Sequence, residues 1–330
     1  MPDLLKQLNA AYGFGHLHLE ELIRRAPFTY KIFTIPKKTG GGRIIAHPAR
    51  ETKTVQRWLV ANSLSSLPIH DSATAYAQGR SIKKNALLHS TNSYLVKLDL
   101  VNFFNSIKLE DLRNLLVDRL ANPLHESDIE RIAHVCCVKM PGQNELCLSV
   151  GAPSSPLLSN SMMFEFDCLV EQWCTNAGIT FSRYADDLTF STNEKGISST
   201  IQPFIEQTLA QLRYPRLTIN TQKTVHSSKK FQRRVTGLII ANDDSVSLGR
   251  ERKREISALL HKFSHGQLPN SEIHRLQGLL GLAQDVEPSF VFRMSVKYSS
   301  NLLSEIFAVR KPKLGARSIT MEDILSGEFD

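Results

Sequence analysis

With 330 residues, 42% of them hydrophobic and 22% charged, the chain can bury a sizeable core and is excluded from the disordered and fibrous classes. Lys and Arg outnumber Asp and Glu by 40 to 32, and the formal charge of +8 favours a polyanionic partner. No apolar run approaches the roughly 18 residues that a membrane span requires, and Met1 to Lys6 lack a signal-peptide layout, so a cytoplasmic protein without membrane contact is expected. Cys136, Cys137, Cys147, Cys168 and Cys174 form no C-x-x-C pair, which argues against a zinc site and a disulfide framework alike.

In chain order, residues 27–46 alternate and then break at Pro36-Lys37-Lys38-Thr39-Gly40-Gly41-Gly42, which predicts a hairpin with a basic, glycine-rich tip. A helix is predicted near Thr52 to Leu64. Tyr94 to Leu100 is a short, nearly continuous apolar run, as a buried strand requires. It leads into a helix through Ser106, with Leu109, Leu112, Leu116 and Leu120 at helical spacing. Residues 149–156 form a loop that feeds a further helix, with Ser155 as N-cap and Pro156 as its first residue. Leu158, Met162, Phe166, Leu169 and Trp173 make the buried stripe of that helix. A hairpin over Phe181 to Ser191 follows, then a helix around Ile201 to Leu212 and strands around Leu217 to Asn220 and Val235 to Ile240. Beyond Gly249 the pattern is helical, with stripes of Ile256, Leu259, Leu260 and Phe263 and of Ile273, Leu276, Leu280 and Ala283. The sum is an α+β fold, an antiparallel sheet backed by helices on one face.

Basic residues cluster at Lys37, Lys38 and Arg43, at Lys229 to Arg234, at Arg250 to Arg254, and at Arg310 to Arg317. Any one cluster is compatible with a solvated face; four along one chain point to a nucleic-acid track. The chemistry concentrates at Tyr184-Ala185-Asp186-Asp187, where two adjacent carboxylates meet at a predicted hairpin tip. Two such charges repel, and a bound divalent cation relieves them. Hard oxygen ligands suit Mg²⁺, which takes substrate phosphates as further ligands. A plain Asp-rich turn is the competing reading. Asp99, at the end of the buried strand, is a costly lone carboxylate unless it is paired, metal-bound or a cap. Brought beside Asp186 and Asp187, it completes a cradle for two Mg²⁺ ions, the arrangement that in-line phosphoryl transfer uses.

These residues resemble the palm motifs of reverse transcriptases. Leu98-Asp99-Leu100-Val101-Asn102-Phe103-Phe104 is similar to motif A, Gly151-Ala152-Pro153-Ser154-Ser155-Pro156 with Ser159-Asn160 to motif B, Tyr184 to Asp187 to motif C, and Ile219 to Thr224 to motif D. Upstream, Pro36-Lys37-Lys38 with Arg43 is similar to the fingers motif that grips the incoming triphosphate. Two further elements resemble those of retron reverse transcriptases: Asn85-Ala86-Leu87-Leu88-His89 and Val235-Thr236-Gly237. Apart from the other motifs these two read as a helix-surface pair and a strand end.

The resemblance implies a right-hand polymerase, with fingers over 1–93, a palm over 94–240 holding an embedded finger segment, and a helical, RNA-binding thumb over 241–330. Asp99, Asp186, Asp187 and the Leu100 backbone hold the metals, Leu100 also borders the dNTP, and Lys38 and Arg43 neutralise its triphosphate. Phe104 is the steric gate under the sugar, its alternative being a core Phe. Lys223 protonates the leaving pyrophosphate, its alternative being a solvated surface lysine. Gly151 lets the backbone approach the template–nucleotide pair. Contacts to nucleic acid fall to Asn85, His89, Tyr184, Val235, Thr236, Gly237, Arg250, Arg252, Lys253 and Arg254. One departure is Val150, where the family usually has Gln before the motif B glycine. The resemblance further implies a structured non-coding RNA as template and primer and a branched RNA-linked DNA (msDNA) started from an internal guanosine 2′-OH. It also implies a role in anti-phage defence with a separately encoded effector protein. The alternatives are a reverse transcriptase of group II intron or abortive-infection type, and a catalytically silent RNA-binding scaffold.

Overall fold

The computed structural model describes residues 3–36, 40–121 and 124–310. The chain begins with α1 (Leu4–Tyr12), capped by Asp3, whose carboxylate accepts from Leu5 N at 2.9 Å, and α2 (His16–Arg25). Both bury leucines at helical spacing: Leu4, Leu5 and Leu8, then Leu19 and Leu22 with Ile23. The hairpin β1 (Tyr30–Pro36) and β2 (Gly42–Pro48) runs antiparallel with Pro36 opposite Gly42. Next come α3 (Arg50–Ala61) and α4 (Ile82–Leu88), the latter capped by Ser81 Oγ accepting from Lys84 N. Gln56 on α3 donates to Tyr30 Oη at 2.8 Å and to the Val135 carbonyl at 2.7 Å, joining the hairpin to the helical layer.

Strand β3 (Tyr94–Asp99) leads to α5 (Phe103–Ser106) and α6 (Leu109–Leu120), so the helix expected to run through Ser106 is two helices, interrupted at extended Ile107. Then follow α7 (Glu126–Cys136), the short strands β4 (Val138–Lys139) and β5 (Leu146–Cys147), α8 (Ser155–Met162) and α9 (Phe164–Asn176). Ser155 is the first helical residue and Ser154 precedes it, one place from the expected N-cap. The stripe on α8 and α9 is corrected at Leu169, which is 42% exposed because the break at Met163 rotates α9 relative to α8.

Strands β6 (Thr180–Tyr184) and β7 (Asp187–Thr192), helix α10 (Ser198–Gln211) and strand β8 (Val225–Ser228) complete a four-stranded antiparallel sheet in the order β6-β7-β3-β8. The strand expected over 217–220 is instead an irregular segment with a single bridge, Leu100 to Ile219. Edge strand β8 supplies the pairing further along. Alternation gives the sheet two unlike faces. Val96, Leu98, Phe181, Leu188 and Phe190 enter the main apolar core with residues of α6 to α10, while Lys97, Asp99, Ser182, Tyr184, Asp187, Thr189 and Ser191 occupy the other face.

The last strands are β9 (Arg233–Val235), β10 (Leu238–Ile240) and β11 (Val246–Ser247). Four helices follow: α11 (Arg250–Ser264), α12 (Asn270–Val286), α13 (Pro288–Tyr298) and α14 (Ser300–Ala308). Contacts divide the chain into two compact units, 1–236 with 240–245, and 237–239 with 246–330. The position 93/94 is therefore no boundary between compact units. Within the second unit, Ile256, Leu259 and Leu260 pack with Ile273, Leu276, Leu280 and Ala283 buried on α12, and Gln277 Nε2 donates to the Ile306 and Val309 carbonyls. The described cysteines are all free. Among the described residues no helix is long and apolar enough to cross a membrane.

Candidate active site

Asp99 and Asp187 are direct partners in the β3–β7 register. Residues opposite each other in an antiparallel pair project to the same face, with Cβ atoms about 5 Å apart, so the two carboxylates share one row. Tyr184 closes that row on β6. The hairpin loop between Tyr184 and Asp187 is two residues, Ala185 and Asp186, with Ala185 at φ 58°. A non-glycine residue there costs about 1–2 kcal/mol. The strain is offset from beneath. Arg183, fully buried, donates through Nη1 to the Ala185 carbonyl at 3.2 Å and to Asn160 Oδ1 at 3.1 Å. Its other nitrogens grip buried Asp167 on α9 at 2.8 and 2.5 Å, a bidentate pair. Leu100 N donates to the Asp186 carbonyl at 3.1 Å, tying the end of β3 to the hairpin tip.

Burial raises the carboxyl pKa values of both Asp186 and Asp187, and the neighbouring charges of Asp187 and Asp99 add to the effect at Asp186. At Asp187, Lys97 opposes the shift and Asp99 adds to it. Lys223 Nζ lies 2.7 Å from Asp99 Oδ1. It is placed there by the turn Thr221–Lys223, which Asn220 N anchors by donating to the Asp99 carbonyl at 2.7 Å. Among the described residues no three His, Cys, Asp or Glu side chains gather closely enough to cage an ion by themselves. Crowded, half-buried carboxylates short of a full shell fit Mg²⁺, which binds through one or two protein carboxylates and completes its octahedron with water and substrate phosphates.

Around this row lie the residues expected to meet a nucleotide. Phe104, on α5, is half-buried and makes edge contacts with Phe103 and with Tyr76, at centroid distances of 5.3 and 6.4 Å. Arg43 is exposed on β2, and its charge lowers the pKa of both Asp187 and Tyr76, against burial. Lys38 lies outside the described residues. Gly151 stands at φ 123°, and a Cβ there would come within 2.9 Å of the Ala46 carbonyl. Strand β2 of the protein itself therefore already requires a glycine at this position. Val150 contributes its carbonyl to that contact, accepting from Ala46 N at 2.9 Å, a backbone bond that Val makes as well as Gln.

Several residues expected to touch nucleic acid are placed elsewhere. His89 is fully buried, with Nδ1 and Nε2 each 2.7 Å from a hydroxyl, Ser191 and Ser182, on the polar face of the sheet. Burial lowers its pKa to about 3, so the ring is neutral and serves as a clip between α4 and the β6–β7 hairpin. Asn85 is 1% exposed and Val235 is fully buried, so neither lies on the open surface, although Asn85 borders a cavity beside α4. Thr236 and Gly237 have φ 46° and 81°, the positive pair of a two-residue type I′ turn, and Thr236 Oγ1 donates to the Ile82 carbonyl. The expected continuous strand over 235–240 is broken by that turn. Lys253 is committed to Glu287 at 3.0 Å and to Ser247, whereas Arg250 and Arg254 are exposed and Arg252 is half-exposed on α11.

Two residues escaped the sequence reading. Tyr76 is 54% exposed at φ 59°, touches Phe104, and feels the charges of Tyr184, Asp186 and Arg43. The signal was an aromatic set in the loop Ala75-Tyr76-Ala77-Gln78-Gly79. Arg183 was overlooked because a basic residue in a strand normally faces solvent, yet its parity with Phe181 pointed inward.

The family model described as "Reverse transcriptase (RNA-dependent DNA polymerase)" matches residues 35–240. The retron Ec83 reverse transcriptase of Escherichia coli is 41% identical over 92% of this chain and 97% of its own length. The retron Ec73 reverse transcriptase of the same organism is 34% identical, over 84% and 89%. Among solved structures, an apo telomerase from Candida tropicalis superimposes with TM-score 0.52 at 14% identity, over 83% of this chain and 58% of that one, a likeness of fold alone.

Proposed function

This chain belongs to the retron reverse transcriptases and is an RNA-directed DNA polymerase of the right-hand polymerase fold class, and from that premise we propose that it copies part of a cognate structured RNA into branched msDNA by Mg²⁺-dependent nucleotidyl transfer. The observation that carries the reading is the in-register pair of Asp99 and Asp187, with Asp186 tied to Leu100 at the same strand end. These three carboxylates would hold two Mg²⁺ ions, which when bound activate the attacking hydroxyl and stabilise the leaving pyrophosphate. Arg43 neutralises the triphosphate, and Phe104 excludes a ribose 2′-OH. Lys223, held 2.7 Å from Asp99 Oδ1, would deliver a proton from its ammonium to the leaving pyrophosphate.

Priming from an internal guanosine 2′-OH, a cytoplasmic setting, and anti-phage defence with a separately encoded effector are inferred from kinship with the retron enzymes. The test is primer extension on an RNA template with and without Mg²⁺. Incorporation of dNTPs that disappears in Asp186→Asn supports the reading; incorporation that survives the substitution removes the carboxylate row from catalysis. Sequencing of co-purified nucleic acid addresses priming, since a DNA joined to RNA by a 2′–5′ linkage is expected and a linear cDNA would contradict it.

A further inference from the structure

A cavity of about 350 Å³ opens beside α4, away from the carboxylate row, with Arg80, Lys84, Asn85, Leu87 and Leu88 in its wall. Its volume is at the lower end of small-molecule sites. Asn85 is 1% exposed, yet neither its carboxamide oxygen nor its nitrogen has a hydrogen-bond partner in the protein. A buried amide orphaned on both atoms is destabilising, and such groups call for a function. Capping does not employ it, because Ser81 already serves the first turn of α4. Leu87 and Leu88 are 44% and 48% exposed and form an apolar rim. Two cations stand beside them: Arg80, paired to exposed Asp71, and Lys84, whose ammonium donates to the Gly79 carbonyl.

We propose that this cavity seats one unpaired adenine of the bound RNA. An asparagine amide offers a donor and an acceptor side by side, which match the donor and acceptor on the adenine edge. The leucines cover the ring, and Arg80 and Lys84 take the flanking phosphates, the usual division of labour for a splayed-out base. The proposal rests on the chain handling RNA but concerns a site outside its catalytic row.

The full chain is photolabelled with 8-azidoadenosine 5′-monophosphate, and the adducts are mapped by mass spectrometry. Adducts within residues 80–88, competed by AMP and not by UMP, are the expected result. Asn85→Leu is expected to reduce them about tenfold while the melting temperature holds or rises, since an orphaned amide is removed. Leu87→Glu, at an exposed position, serves as second variant: labelling falls while the melting temperature is retained. Adducts absent from this segment, equal competition by UMP, or labelling unchanged by both variants would overturn the site. So would a protein partner lost in Leu87→Glu without any nucleotide labelling, which assigns the cavity to a protein. Labelling without primer extension would count against the polymerase reading and leave the adenine site standing.

Discussion

Phe104 touches Tyr76 and Phe103, so its ring is braced on two sides rather than free to swing away from a sugar. Phe104→Ala is expected to raise ribonucleotide incorporation, read as the ratio of kcat/KM for a dNTP and its rNTP; an unchanged ratio would remove Phe104 from sugar discrimination. At Asp186, burial and two neighbouring carboxylates disfavour the charged form. Mg²⁺ should therefore raise the melting temperature of the native chain. In Asp186→Asn the metal-free protein should melt higher and respond less to Mg²⁺, a comparison that calorimetry makes directly. Asp99 and Asp187 were legible as neighbours because motif spacing carries them. The bracing by Tyr76 was not, because that contact joins residues 28 positions apart through a loop of unusual backbone geometry.

Two elements hold the catalytic hairpin from opposite faces. On the polar face, His89 at the end of α4 is neutral between two serine hydroxyls. Its folded pKa of about 3 lies below the unfolded value of 6.5, so the unfolded chain binds the extra proton first. The stability tied to His89 is present above pH 6.5 and is lost as pH falls from 6.5 toward 3, at no more than about 1.4 kcal/mol per pH unit. Urea unfolding across that window should show the slope in the native chain and a flatter one in His89→Gln. On the core face, Arg183 and Asp167 form a pair with neither side chain exposed. Asp167→Ala leaves a buried guanidinium without its partner, for an expected loss of about 3–5 kcal/mol in urea titration. A loss under 1 kcal/mol would show that the pair does not brace the hairpin. The elements the sequence misplaced share a cause. The segment 217–220 has strand-like composition, but only Ile219 meets a partner, because edge strand β8 occupies the pairing positions along β3.

At the scale of the whole molecule, a formal charge of +8 implies that RNA is held largely through phosphate contacts, with affinity that falls steeply as salt rises. Arg250, Arg252 and Arg254 remain available on α11, whereas Lys253 is neutralised by Glu287 within its own unit. Reversing those three arginines to glutamate is expected to weaken RNA retention and shrink the salt slope while leaving the KM for dNTP unchanged. Should the KM rise and retention hold, α11 is not an RNA contact.

Motif order, residue type and hydrophobic period along the chain were enough to identify the polymerase class, the three aspartates and most helices and strands, because each of these is carried by neighbours in sequence. Which polar residues face solvent was settled only in three dimensions. His89 and Arg183 look like surface or ordinary strand residues in one dimension, yet both are committed to the protein's own interior. Their partners come from distant segments, and burial is a property of packing that local spacing does not encode.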